Sequence, residues 1–325
     1  MTEQGSMAVV RHAVRLDLAT LEPGDRILVA CSGGADSSAL AYALTKEAPL
    51  LAVSVTAVTI DHGLQEGSAH QAADTARWLR EIGYDQVEIV QVQVGNEGGL
   101  EAAARDARYG ALEAVAAGLT ASAIYLGHSM DDQAESVLLG LGRGSGPRSI
   151  AGMEKVSGIY RRPFLGLRRS QLRVACLEVE APIWDDPHNQ DERFTRVGLR
   201  NLIPSFEATL GGGVVEALAR TADLLREDLF ALDSLTTPYV DRVEATVAEL
   251  SQLPAALRKR AMRAMAFRAG VPGGSLTFDH LTRMDSLITD WRGQGGVTLP
   301  GDLTFSRKSG RLSFSSTGKV ERGSR

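Results

Sequence analysis

The stretch Arg26-Ile27-Leu28-Val29-Ala30-Cys31-Ser32-Gly33-Gly34-Ala35-Asp36-Ser37-Ser38-Ala39-Leu40 decides the fold. Arg26 to Cys31 is a short, largely apolar run of the kind that makes a buried strand. Ser32 to Ser37 turns the chain, and Ser38 to Lys46 reads as a helix. A strand, a glycine turn and a helix start aim backbone N–H groups and the helix dipole at an anion, usually phosphate. Ser32, Gly33, Gly34, Ala35, Asp36 and Ser37 are therefore the candidate nucleotide-binding turn. The glycines permit close approach of the backbone, and the serines add hydroxyl donors. No lysine follows the glycines, so this is not a Walker A loop. A carboxylate beside phosphates needs a bridging cation, which makes Asp36 the candidate Mg²⁺ ligand.

Outward from this stretch the same alternation repeats. Leu51–Ile60, Gln86–Val94 and Ala121–Gly127 read as further strands. Glu66–Ile82, Leu100–Ala117 and Asp131–Leu141 read as helices between and after them, with His12–Leu21 a short helix before the first strand. Strands alternating with helices predict an α/β fold, a doubly wound parallel sheet of Rossmann-like type. Ligands bind such sheets outside the carboxyl ends of the strands. The polar clusters Ser32–Ser37, Asp61-His62-Gly63 and His128–Glu135 all fall there, which adds Asp61, His62, Gly63 and His128 to the nucleotide-binding candidates.

Asp131 and Asp132 open a helix, where capping alone would explain them. Asp132 and Glu135 stand three apart, however, and share a face that could hold Mg²⁺ or a cationic substrate. Arg143, flanked by glycine in Arg143-Gly144-Ser145-Gly146, suits an anion; Glu101, Arg105 and Arg108 share a helix face. Asp185-Asp186-Pro187-His188-Asn189 with Arg193, Arg196 and Arg200 reads, by spacing alone, as a solvated loop and helix face.

At 325 residues the chain suggests two domains. A catalytic domain is expected over 1–210, a linker helix over 211–232 and a smaller, mainly helical domain over 233–325. Pro204 is expected to close a segment, and LTFSRKSGRLSFS to form a hairpin turning at Ser309-Gly310. The net charge of −5 hides an asymmetry: residues 233–325 carry 14 Lys+Arg against 9 Asp+Glu, the first 232 carry 21 against 31. A basic part beside an acidic one fits a polyanionic partner, expected to depend on Arg258, Arg260 and Arg263. Two distant cysteines, Cys31 and Cys176, argue against a disulfide framework, zinc knuckle or iron–sulfur cluster. No stretch approaches a membrane span and the N-terminus has no signal-like apolar run, so a cytoplasmic location is expected.

SGGADS, DHG, the run Glu101, Arg105, Arg108, Tyr109, then GHSMDDQAES, RGSG, RRPFL and Trp184–Asn189 occur in that order. Together they resemble the tRNA(Ile)-lysidine synthase family of the N-type ATP pyrophosphatase (PP-loop) superfamily, whose fold is of the adenine nucleotide alpha hydrolase type. The departures are Gln65, where an arginine is common, and Ser136 for the usual threonine. The chain also looks short for the extra C-terminal domain of the family's long members.

The resemblance implies ATP and Mg²⁺ as cofactors, and an isoleucine tRNA with a CAU anticodon and free L-lysine as partners. A second copy of the chain, as a homodimer, is left open. Wobble cytidine would attack the α-phosphate of ATP, and lysine would then displace AMP. Asp36, Arg105, Arg108, Asp132, Glu135 and Arg143 are the implied catalytic residues, with Asp132 and Glu135 serving the lysine amine. Rival readings are a PP-loop tRNA thiolase, which wants paired cysteines, and a nucleotide-binding module without chemistry.

Overall fold

The computed structural model of the chain describes residues 5–63, 67–93, 95, 100–144, 146–185 and 195–317. They form two compact units, Met1–Asp223 and Leu224–Arg325.

The first unit runs α1 (Ser6–Leu18), β1 (Arg26–Ala30), α2 (Ala35–Glu47), β2 (Ser54–Asp61), α3 (Ser68–Glu81), β3 (Val87–Gln91), α4 (Leu100–Leu119) and β4 (Ala123–Tyr125). It continues with α5 (Met130–Gly142), the single turn α6 (Pro147–Ile150), β5 (Val156–Ser157), β6 (Tyr160–Arg161), α7 (Arg169–Glu178) and α8 (Thr195–Leu210). α9 (Val214–Ser234) carries the chain across the boundary into the second unit.

Among the described residues the sheet has the order β3-β2-β1-β4-β6-β5. Every pairing is parallel except β5 with β6, which form a small hairpin. Alternation along each central strand feeds two cores. Ile27, Val29, Ala57 and Tyr125 pack with α1, α2 and α7, while Leu28, Val58 and Ile124 pack with Leu112 and Ala116 of α4. Burial on both faces is why these strands read as continuous apolar runs. α1 and α2 are also joined by a buried charge: Glu47 accepts from Arg11 Nε and Arg15 Nε, both at 2.6 Å.

Several boundaries differ from the sequence reading. α2 begins at Ala35, not Ser38, so Asp36 and Ser37 lie in its first turn. α1 starts at Ser6, because Met7, Val10, Val14 and Leu18 form the buried stripe. Leu51 belongs to a 3₁₀ turn before β2. Pro204 closes nothing: it sits inside α8, which continues to Leu210.

The second unit holds β7 (Glu244–Thr246), α10 (Val247–Ser251), α11 (Ala255–Arg268), α12 (Phe278–Thr289), β8 (Val297–Leu299), β9 (Leu303–Lys308) and β10 (Arg311–Ser316). The expected hairpin is present. Ser309 (φ 50°) and Gly310 (φ 75°) are both left-handed, the geometry that a tight two-residue turn between right-twisted strands demands. It is part of a four-stranded antiparallel sheet, β7-β10-β9-β8, over a core of Met262, Met265, Met284, Leu287, Phe305 and Leu312.

Two of the α11 arginines expected to meet the polyanionic partner, Arg258 and Arg260, are engaged within the unit. Arg258 is buried and forks onto Asp285 at 2.5 and 3.2 Å, and Arg260 reaches Asp233 at 2.9 Å. Their charges hold this unit together. A residue's side of a helix depends on which partner lies opposite, and Asp285 is 27 residues away.

Candidate active site

β1 delivers the chain to the glycine turn at the carboxyl edge of the sheet. Gly33 has φ +82°, and Gly34 is extended and precedes α2. A Cβ on Gly33 would stand 2.6 Å from Thr75 Oγ1 and 2.8 Å from Gln71 Nε2. Ser37 braces the turn: its hydroxyl accepts from the Ser32 N–H (3.1 Å) and donates to the Gly34 carbonyl (3.0 Å). The first N–H groups of α2 have no partner within the helix and face outward as anion donors. Gly127, just past β4, is packed against this start. A Cβ there would lie 2.8 Å from the Asp36 carbonyl oxygen and 3.0 Å from the Ser37 nitrogen.

Asp36 is half-buried, and its Oδ1 is shut away with no hydrogen-bond partner among the described residues. Burial, with the Asp132 charge behind it, pushes this carboxyl up to about 7 against the pull of Arg169. A carboxylate so placed fits a cation arriving with its own phosphate ligands. Among the described residues no three His, Cys, Asp or Glu side chains converge on a metal site of their own. Mg²⁺ in phosphate-transfer sites commonly takes only one or two carboxylates and completes its shell from phosphate and water.

α5 opens with a capping box: Ser129 Oγ accepts from Asp132 N–H, and Asp132 Oδ2 accepts from Ser129 N–H at 2.8 Å. Asp132 therefore caps the helix and still turns Oδ1 into the site, where Arg169 Nη2 donates at 2.6 Å. Burial would raise this carboxyl, but Arg169, His128 and the Ser129 bonds outweigh it and hold it low. Glu135 is fully buried; its Oε1 accepts from Arg169 (3.3 and 3.2 Å) and Arg200 Nε (3.1 Å), and Arg196 Nη1 stands 3.9 Å from Oε2.

Arg169, the first residue of α7, thus joins the two halves of the site. Its Nε lies 3.5 Å from Asp36 Oδ2, and its backbone N–H donates to Asp131 Oδ2 at 2.8 Å. These carboxylates outweigh burial and raise its affinity for the proton. Arg168 braces the same corner, forking onto Asp131 at 3.3 Å and reaching Glu216 at 2.6 Å.

His128 sits between this acidic group and a positive one. Burial first, then Arg108, Arg162 and Arg105, lower its pKa to about 3 against the pull of Asp132, so the ring is neutral. Its Nδ1 is buried without a partner among the described residues. Arg105 and Arg108 lie over the Tyr109 ring at 4.7 and 5.5 Å. Tyr109 in turn packs on Tyr160 at 4.9 Å.

Other candidates fall elsewhere. Asp61 holds the end of β2: bonded by Ser68 and by the Gly63 N–H (3.0 Å), its carboxyl is kept low despite burial. His62 and Gly63 follow it at the same sheet edge. Arg143 is exposed at the far end of α5, about 16 Å of helix from Asp132 at 1.5 Å per residue. The structure does not bring it to the cluster. Gln65, Ser145, Arg193, the Glu101 side chain and residues 186–189 lie outside the described residues.

Sequence reasoning missed Arg168 and Arg169. It also took Arg196 and Arg200 for a solvated face, whereas both stand against buried Glu135. For Arg168 and Arg169 the available signal was eight basic residues against the single acid Glu154 between Arg143 and Arg173.

A parallel sheet with a glycine turn after β1 and acidic side chains opening α5 defines a nucleotide-binding protein of the PP-loop class. The PP-loop domain family matches residues 9–206, and the TilS substrate binding domain family matches residues 246–313. The tRNA(Ile)-lysidine synthase of Streptomyces coelicolor is 53% identical over 299 residues, covering 88% of this chain and 84% of that protein. That of Thermobifida fusca is 48% identical over 316 residues, covering 94% and 96%. The chain belongs to the tRNA(Ile)-lysidine synthase family. The U34-tRNA thiolase NcsA from Methanococcus maripaludis shares the fold at TM-score 0.57 and 17% identity, over 68% of this chain and 80% of that one.

Proposed function

We propose that the protein is an ATP-dependent carbon–nitrogen ligase that converts the wobble cytidine of a CAU-anticodon isoleucine tRNA to lysidine. The observation that carries the reading is the placement of buried Glu135 and Asp132 beside the phosphate turn, joined to Asp36 through Arg169. In the first step the cytidine 2-oxygen forms a bond to the α-phosphorus as the bond to pyrophosphate breaks. In the second, the lysine amine adds at the same base carbon and the oxygen leaves with AMP, the amine giving up a proton.

The Ser32–Ser37 turn and the start of α2 would hold the leaving pyrophosphate. Asp36 would hold Mg²⁺, which neutralises phosphate charge when bound. Arg105 and Arg108 are the arginines suited to the five-coordinate phosphorus; Arg143 would need the bound tRNA or a chain movement to join them. Asp132 and Glu135 would hold the lysine ammonium and accept its proton, since only the neutral amine attacks. No protein nucleophile is required. Cys31 and Cys176 are both buried free thiols, which leaves the thiolase alternative without exposed sulfur.

The second unit would dock the tRNA. No helix among the described residues is long and apolar enough to cross a membrane; with a tRNA as substrate, a cytoplasmic site of action fits. The test is pyrophosphate release with ATP, total tRNA and lysine. Release that requires tRNA, with lysine incorporation in equal amount, is expected, and Asp36→Ala should abolish both in a folded protein. Release that needs no tRNA would refute the reading.

A further inference from the structure

Lysine would compete with cations that already stand in the site. Asp132 and Glu135 supply two negative charges, and Arg169, Arg196 and Arg200 already bring three guanidinium groups against them. An ammonium added to this set finds Asp132 Oδ1 held at 2.6 Å by Arg169 and Glu135 Oε1 held by Arg169 and Arg200, while among the described residues Glu135 Oε2 accepts no hydrogen bond, with Arg196 Nη1 3.9 Å away. To bridge both carboxylates the ammonium has to take the place that Arg169 Nη2 holds between Asp132 Oδ1 and Glu135 Oε1.

Arg196 and Arg200 both come from α8, and Arg196 also bonds the Ser136 hydroxyl at 3.5 Å. Arg169 reaches the nucleotide side through a long 3.5 Å contact to Asp36 next to the phosphate turn. A polyphosphate on the α2 N-terminus would offer this guanidinium stronger, bidentate partners than the carboxylates it holds.

Resting on the assignment of Asp132 and Glu135 to lysine, we propose that Arg169 is a positioning residue that occupies the ammonium subsite until nucleotide phosphates draw its guanidinium away. Lysine then binds in order, after ATP, and the amine is kept out while no nucleotide is bound. The coupling is thermodynamic: a ligand shifts this equilibrium only through its different affinity for the two arginine positions. It is therefore reciprocal, and lysine must tighten the nucleotide by the same factor.

The experiment is calorimetric binding of L-lysine to the full chain, with and without Mg²⁺ and α,β-methylene-ATP, whose α–β bridge cannot be cleaved. The expected result is lysine binding at least tenfold tighter with the analogue in the wild type. Arg169→Gln should bind lysine without nucleotide as tightly as the wild type does with it. Glu135→Gln should weaken lysine binding tenfold or more in both conditions.

Equal wild-type affinity with and without the analogue, or an Arg169→Gln protein that still needs it, overturns the inference. If Glu135→Gln still weakens lysine in that case, the lysine assignment stands. Unchanged lysine binding by Glu135→Gln removes the assignment and the inference with it. Adenosine tests the unaltered protein whatever the folding of the variants. It carries no phosphate and should leave lysine affinity unmoved; tightening as large as that by the analogue refutes the displacement of Arg169.

Discussion

Gly127→Ala is expected to damage the phosphate turn without touching any substrate. The new methyl group would stand 2.8 Å from the Asp36 carbonyl oxygen, 2.9 Å from its carbon and 3.0 Å from the Ser37 nitrogen. All three are backbone atoms of the first turn of α2, so no side chain can rotate to make room. Relief requires the helix start, and Asp36 with it, to move by about half an ångström, and overpacking of this kind costs about 1–3 kcal/mol. For a unit of this size that lowers the melting temperature by about 2–12 °C.

Activity should suffer more than stability. A misplacement approaching 1 Å at a reacting geometry can cost about 100-fold in rate. The assay is pyrophosphate release at varied ATP beside thermal unfolding, with Gly110→Ala as control. Gly110 lies in α4 with nothing within 4 Å of its added Cβ; there alanine should be neutral or stabilising by up to about 1 kcal/mol. A Gly127→Ala protein with wild-type melting and wild-type kcat/KM would show that the turn tolerates the shift, and the argument from the close approach would fail.

Glu135→Gln should still adenylate tRNA but raise the lysine requirement about 10- to 100-fold, the equivalent of one charge-assisted contact of about 1.5–3 kcal/mol. Loss of both half-reactions together, unrescued by excess lysine, would place the residue in the ATP site instead. Arg258→Ala should destabilise the second unit by about 1.5–3 kcal/mol, because it removes a charge-assisted fork from half-buried Asp285. Lys259, the next residue of α11, has its Nζ 5.3 Å from the centre of the Phe278 ring; Lys259→Ala should lower the salt slope of tRNA binding by about 0.7–0.9 with little change in melting, and the reverse pattern would mean that Lys259 rather than Arg258 holds the unit together. His128 has a folded pKa of about 3 against an ordinary value of 6.5. Below pH 6.5 the unfolded chain takes a proton that the native ring refuses, so stability present above that pH falls on acidification towards 3, by at most about 1.4 kcal/mol per pH unit. His128→Asn should flatten melting temperature against pH between 6.5 and 5; an unchanged slope would mean that the ring protonates in the native state.

What could be read from the sequence alone was what neighbouring residues decide. The apolar run Arg26–Ala30, the glycines after it and the i,i+3 carboxylates at Asp132 and Glu135 each express a backbone or helix geometry within a few residues. Strung in order, they placed three polar clusters at one edge of a parallel sheet, and the turn at Ser309-Gly310 was announced the same way. Neither the partner of a charge nor the inward side of a basic helix has such a local signature. Glu135 meets Arg169 from 34 residues away and Arg200 from 65, and Arg258 is turned inward by Asp285. Those choices depend on which helices pack against which, since a guanidinium settles where desolvated carboxylates lie within about 4 Å and outside water's screening. The pattern of residues specified a nucleotide site with an acidic wall; only tertiary packing decided that an arginine stands inside it.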